Sequence, residues 1–184
     1  MRHLLIPLRR RIGIVCLGLT QAFVLGVSQA TAESMSEPQL KAAFLVNFFK
    51  YVEWPPSSSG ATICLLGQDA VGNHLSAYEG RTVAGSEIHI RRISRREEIA
   101  GCQQLYVGPG DESRVADLIK SGEPPATLVV GEGESFIRHG GAIALVRIDN
   151  RLAFDINLET TTRAKLRLSP QMLRVAREVI GGPR

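Results

Sequence analysis

The sequence predicts an α/β fold: a single domain with a mixed β-sheet flanked by helices, finishing in a C-terminal β-hairpin and helix. Three observations carry this reading. Between residues 62 and 130, short apolar runs alternate with polar or helix-period stretches, as in a sheet covered by helices. Residues 142–148 and 151–157 read as two strands joined by Asp149-Asn150, a two-residue turn signal, so the sheet is mixed rather than purely parallel. The part of the chain left for folding, 152 residues once a leader is removed, suits one domain.

That leader is residues 1–32. Arg2, Arg9, Arg10 and Arg11 form a basic start and residues 12–27 an apolar stretch. Ala30-Thr31-Ala32 then offers small residues at the −3 and −1 positions, the pattern of a cleaved secretory signal. The apolar stretch, interrupted by Thr20, Gln21 and glycines, is short for a membrane span. Cleavage changes the charge argument. The chain carries 22 basic and 18 acidic residues; four arginines leave with the signal, so 18 face 18 and the net charge falls to zero. The basic balance belongs to targeting, and no nucleic-acid partner is implied.

Residues 33–37 read as a flexible mature terminus, and the domain runs over 38–182. A helix starts near Pro38, proline being favoured in a first turn, and its stripe runs through Leu40, Phe44, Phe48, Tyr51 and Val52 until Trp54-Pro55-Pro56 stops it. Residues 62–66 read as a buried strand, 70–78 as a helix, and 87–93 as a half-exposed strand with Ile88, Ile90 and Ile93 alternating. A helical turn over 95–100, a strand over 105–107, a helix over 112–120 and a strand over 127–130 follow. After the hairpin comes a short helical stretch from Leu158. Ser169 caps and Pro170 begins a final helix through Met172, Val175, Ala176, Val179 and Ile180, ended by Gly181-Gly182.

No catalytic signature is present: there is no G-x-S-x-G, P-loop, H-E-x-x-H or C-x-x-C. Gly131-Glu132-Gly133-Glu134 lacks the third glycine of a dinucleotide loop and reads as a strand-to-loop turn. His139-Gly140-Gly141 reads as a glycine turn before a strand. Gly108-Pro109-Gly110-Asp111 reads as helix capping. His74, His89 and His139 lack metal-ligand spacing. No catalytic residue, metal or cofactor is expected.

With Cys16 removed, Cys64 and Cys102 remain. In an oxidising compartment an even pair reads as a disulfide; the alternative is two buried thiols packed as small apolar groups. Thiol chemistry is disfavoured, because Cys64 sits in the apolar run Ile63-Cys64-Leu65-Leu66. Two features suit a binding surface. Phe48, Tyr51 and Trp54 give the first helix an aromatic stripe that serves either core or partner. Arg91, Arg92, Arg95 and Arg96 form a cationic run that serves either as a solvated edge or as a docking patch for an acidic partner.

The stretch from Leu40 through Ala43-Phe44-Leu45-Val46-Asn47-Phe48-Phe49-Lys50-Tyr51-Val52-Glu53-Trp54-Pro55 resembles the opening of the YfiR/HmsC-like family of periplasmic proteins. Phe154-Asp155-Ile156-Asn157-Leu158, with the helix around Ser169, Leu173 and Ala176, is similar to that family's ending. The resemblance spans nearly all of 38–180. It implies a non-catalytic periplasmic repressor that binds the periplasmic region of an inner-membrane diguanylate cyclase, limiting cyclic-di-GMP signalling and biofilm formation. It further implies a homodimer, capture by an outer-membrane peptidoglycan-binding lipoprotein, and a disulfide at Cys64 and Cys102. A second cysteine pair found in some members is replaced here by Ile137 and Ala144. The alternative is a periplasmic small-ligand-binding module acting on another membrane receptor such as a histidine kinase.

Overall fold

The structure, a computed structural model, describes residues 35–58, 60–67, 71–111, 113, 116–117 and 126–182. The expected signal peptide, and most of the helix expected over 112–120, lie outside these residues.

The sheet is built around β2 (Ala61–Leu66). β2 pairs in parallel with β4 (Ser86–Ile93) on one side and β5 (Gln104–Val107) on the other. β6 (Leu128–Glu132) and β7 (Ile143–Ile148) extend it in parallel, and β8 (Arg151–Asn157) returns antiparallel to β7. β3 (Thr82–Val83) and β10 (Glu178–Ile180) are the edges, giving the eight-stranded order β10-β8-β7-β6-β5-β2-β4-β3. The fold is therefore α/β with a mixed sheet, as expected. Asp149, at a φ of 49°, takes the left-handed conformation that a tight hairpin between β7 and β8 requires.

Strand alternation divides the core between the two faces of the sheet. Ile63, Leu65, Tyr106, Leu128, Val130, Ile143, Leu145 and Ile156 belong to one cluster with Ala42, Leu45, Val46 and Phe48 of the first helix, α1 (Glu37–Phe48), and with Phe49 just after it. Cys64, Leu66, Leu105, Val107, Val129, Ala144 and Val146 belong to another with Ile99 and with Phe136 and Ile137 of α3 (Glu134–Arg138). Burial on both faces explains why the parallel strands read as continuous apolar runs. α2 (Val71–Leu75), followed by a 3-10 turn over Ser76–Tyr78, supplies Val71 and Leu75 to the first cluster.

Three expectations need correction. α1 ends at Phe48, not at the Trp-Pro-Pro stop: a tight turn follows, and Val52–Glu53 form β1, paired antiparallel with β9 (Arg167–Leu168). Tertiary pairing outweighs helical spacing here, and β-branched Val52 accepts the strand readily. The final helix is likewise shorter. α5 (Pro170–Val175) stops before Ala176, and the stretch beyond it forms β10, parallel to β8. Asp155, 3% exposed, needs a cation, and the Arg177 guanidinium supplies it with two hydrogen bonds, drawing the chain onto the sheet. Finally, the turn expected at 131–134 opens a helix. Phe136 of α3 is fully buried between Gly131 and Gly141, where a Cβ at either glycine would overlap its ring. The short stretch expected from Leu158 is α4 (Leu158–Arg163), capped by the Asn157 side chain accepting from Thr160 N at 3.1 Å.

Candidate functional site

α1 is apolar on more than one side. The side carrying Ala42, Leu45 and Phe49 is buried, while Leu40, Ala43, Phe44 and Asn47 line a groove against Gln171, Met172 and Val175 of α5. Phe48, Tyr51 and Phe154 complete the lining of a cavity of about 330 Å³. Phe44, Phe48 and Phe154 meet edge to face, with ring centroids 5.4–6.0 Å apart, a preferred aromatic geometry. Val175 stands at the rim of the groove, 66% exposed.

The aromatic candidates take separate roles. Phe48 is 3% exposed and lines the groove from below; Tyr51 is half-buried at its end, with its carbonyl accepting from Ser169 N at 2.8 Å. Trp54 lies elsewhere: it stacks on Phe49, centroids 4.9 Å apart, and its Nε1 donates to the Gln103 carbonyl at 3.0 Å. That ties the chain after β1 to the start of β5.

The four arginines do not form one patch, because β4 alternates. Arg91 is in register with Cys64 and Arg92 with Leu65, which belong to opposite faces of β2. Arg91 reaches the Cys64–Cys102 disulfide, whose Cα atoms are 5.8 Å apart. Its Nη2 lies 3.1 Å from Cys102 Sγ and 3.5 Å from Cys64 Sγ, and it donates to the Glu98 and Ala100 carbonyls, each at 2.8 Å. Arg92 lies over Gly72 of α2. Arg95 and Arg96 are exposed beside the 3-10 turn Arg96–Ile99, where Arg95 pairs with Glu98 at 3.3 Å. Glu98 accepts from the backbone amides of Ser94 and Arg95, which hold its carboxyl below the usual range.

A second cluster fastens the start of α1. Lys41 pairs with Glu132 at 2.6 Å and with Glu37 at 2.7 Å; Glu37 also meets Arg147, and Glu132 accepts from the Tyr106 hydroxyl. Burial pulls the Lys41 pKa down, but its hydrogen bonds to Glu132 and Glu37 outweigh that and leave it raised. The Lys41 hydrogen bond, with Arg147 nearby, holds Glu37 below its usual range against a smaller effect of burial. Every charge in this cluster has a partner, the pattern of a structural clasp.

α5's share of the groove was not marked in the sequence, since Gln171, Met172 and Val175 meet α1 only through the fold. The first helix's share was marked, since Leu40, Phe44, Phe48 and Tyr51 of the expected stripe all line the groove. Among the described residues, no helix is long and apolar enough to cross a membrane.

Comparison with known proteins adds the following. A family profile described as YfiR/HmsC-like matches residues 38–177. A conserved domain protein of Vibrio cholerae O1 biovar El Tor is 10% identical with a TM-score of 0.51, over 79% of this chain and 60% of that one, a likeness of fold alone. The ABC domain of Streptococcus pneumonia, solved in complex with L-Trp, is 13% identical with a TM-score of 0.48, over 78% of this chain and 60% of that one. The chain thus spans about 60% of the length of each of these two proteins.

Proposed function

Because the chain belongs to the YfiR/HmsC-like family, we propose that it is a periplasmic regulator that binds the periplasmic region of an inner-membrane diguanylate cyclase and holds it inactive, limiting cyclic-di-GMP and biofilm formation. The family match over 38–177 is the observation that carries this reading. It acts as a dimer without turnover, and an outer-membrane peptidoglycan-binding lipoprotein competes for it.

The groove between α1 and α5 supports the reading from the side of geometry. It is apolar and rich in aromatics, and Val175 extends it to the surface, the features of an interface centre. Within it, Phe48 and Tyr51 form the wall that a partner packs against. Trp54, Arg91 and Arg92 lie away from it, on the Gln103 carbonyl, the disulfide and α2 respectively, and Arg95 and Arg96 offer a separate cationic region.

The test is genetic and biochemical together. Deleting the gene should raise cellular cyclic-di-GMP, and the purified protein should bind the purified periplasmic domain of a cyclase from the same cell. Unchanged cyclic-di-GMP in the deletion strain, with no binding to any such domain, would sink the proposal.

A second reading draws on the cavity volume. At about 330 Å³ the groove lies at the small end of ligand pockets. A small apolar ligand acting through another membrane receptor, such as a histidine kinase, would raise the melting temperature by an amount that grows with the logarithm of its concentration over its Kd.

A further inference from the structure

The position of Arg91 is not explained by the needs of a strand edge. An exposed arginine on an edge normally extends into water, whereas this one turns back over a disulfide whose cysteines are 0% and 3% exposed. One guanidinium nitrogen addresses both sulfurs and two carbonyls of the turn that carries Cys102. A neutral disulfide sulfur is a weak acceptor; a thiolate at the same place is a strong one for a guanidinium. The geometry points to Arg91 as the residue that sets how readily Cys64–Cys102 exchanges with an external dithiol, by stabilising the thiolate that reduction produces.

The reaction balances without further reagents. A thiolate of the dithiol attacks the Sγ of Cys102, the less deeply buried of the two cysteines; the Cys64–Cys102 bond breaks and Cys64 leaves as a thiolate. The second sulfur of the dithiol then attacks its own sulfur in the mixed disulfide and releases Cys102. Two electrons pass to the protein, the dithiol becomes a disulfide, and of its two protons one ends on a protein thiol and one in solvent. The remaining protein thiolate pairs with Arg91.

The surroundings leave this role to Arg91. β2 and β5 bring the apolar Leu66, Leu105 and Val107 to the cluster around the sulfurs, and Ile93 and Ile99 join them. The other charged groups nearby are Arg95, Arg96, Glu97 and Glu98 on the turn, and the Glu98 carboxylate is engaged by the Ser94 and Arg95 amides. Stabilising the reduced form makes a disulfide easier to reduce. Bonds from Arg91 to the Glu98 and Ala100 carbonyls brace the turn in both redox states and largely cancel in the redox equilibrium.

The experiment is a redox titration of the purified protein against dithiothreitol. Arg91→Gln is expected to shift the equilibrium about tenfold towards the protein disulfide, which is about 30 mV for a two-electron couple. Arg91→Lys, which keeps a cation but not the fork, should fall between. An unchanged equilibrium constant in Arg91→Gln, even with a lowered melting temperature, would overturn the proposal and leave Arg91 a brace for the turn. Should Arg91→Gln fail to fold, the reduced wild-type protein still decides the matter through the ultraviolet absorbance of its thiolate. Absorbance appearing well below pH 8.5, the ordinary cysteine range, supports the pairing. Absorbance appearing only above that range, as burial alone dictates, overturns it.

Discussion

The sheet's two faces are closed by different means. On the face of Cys64 and Val129, closure is by single side chains set into fixed gaps: Phe136 between two glycines, and the disulfide tying β2 to the entry of β5 under Arg91. On the face of Ile63 and Val130, closure is by a whole helix. α1 is fastened by an ion-pair clasp at its start and by Trp54 beyond its end, and it leaves an open seam against α5. A face closed by a helix has a second side to offer, and that is where an apolar groove remains.

Losing the interlocking should cost most. Reducing or removing the disulfide frees a loop of 38 residues' separation, worth about 4 kcal/mol by chain entropy. Cys64→Ala should therefore unfold at the denaturant concentration of the reduced wild-type protein. If the variant matched the oxidised protein instead, the crosslink would not be what secures this face. Next in size, Gly131→Ala and Gly141→Ala should each destabilise by about 1–3 kcal/mol, since a Cβ there overpacks against Phe136. Pairing either with Phe136→Leu should recover part of the loss. Equal loss with and without the smaller side chain would place the cost in the backbone.

Among the described residues, the helix-covered face carries a buried polar defect. Gln104, fully buried on β5, has both side-chain polar atoms without a hydrogen-bond partner. It shares the α1 face with Tyr106, two residues on. Leaving such an amide unpaired costs about 1–3 kcal/mol, so Gln104→Leu should raise the denaturation midpoint. A lowered midpoint would mean that a bound water or a neighbour pairs this amide in solution.

The clasp at the start of α1 should contribute less, and in a pH-dependent way. The Glu37 carboxyl is held below its ordinary value near 4.5, so its contribution is complete above that value and is lost as pH falls through and below it. Lys41 is raised above 10.5, so its contribution persists below that value and fades only at higher pH. Glu37 is partly exposed, and a pair of this kind is worth no more than about 1 kcal/mol. Glu37→Gln should lower the neutral plateau by up to that amount and leave the stability at low pH nearly unmoved, so that the acid limb flattens. An unchanged acid limb would show that the clasp adds nothing to the hold on α1.

Legibility in the sequence followed the same divide. The buried strands were plain because local composition decides them: Ile63-Cys64-Leu65-Leu66 and Leu105-Tyr106-Val107 lie in strands near the expected limits. The hairpin was plain because Asp149-Asn150 is itself the turn. What failed depended on partners far along the chain. Val52 continues a helical stripe by spacing, yet pairs with Leu168. Val179 and Ile180 continue another, yet lie beside Ile156 and Asn157 because Arg177 answers a buried Asp155. Arg91 and Arg92 are adjacent in the sequence, and only β4 tells them apart. The groove was half legible, through Phe44 and Phe48 on α1, because no local pattern announces which residues α5 will set opposite them.

Val175 offers the sharpest separation of the two modes of closure. It is 66% exposed at the rim of the groove, so no packed core depends on it. Substitutions at such surface positions usually stay within about 0.5 kcal/mol, and Val175→Glu should leave the melting curve nearly where it was. A carboxylate placed at the edge of an apolar contact must be desolvated without a partner when another protein closes over it. Binding to a cyclase periplasmic domain should therefore weaken sharply while stability holds. The same charge on the interlocked face, as in Val129→Glu, should instead unfold the protein, since Val129 is 3% exposed. If Val175→Glu bound as well as the wild-type protein, the seam between α1 and α5 would not be the contact surface, and the exposed arginines Arg95 and Arg96 beside the 3-10 turn would be the next region to alter.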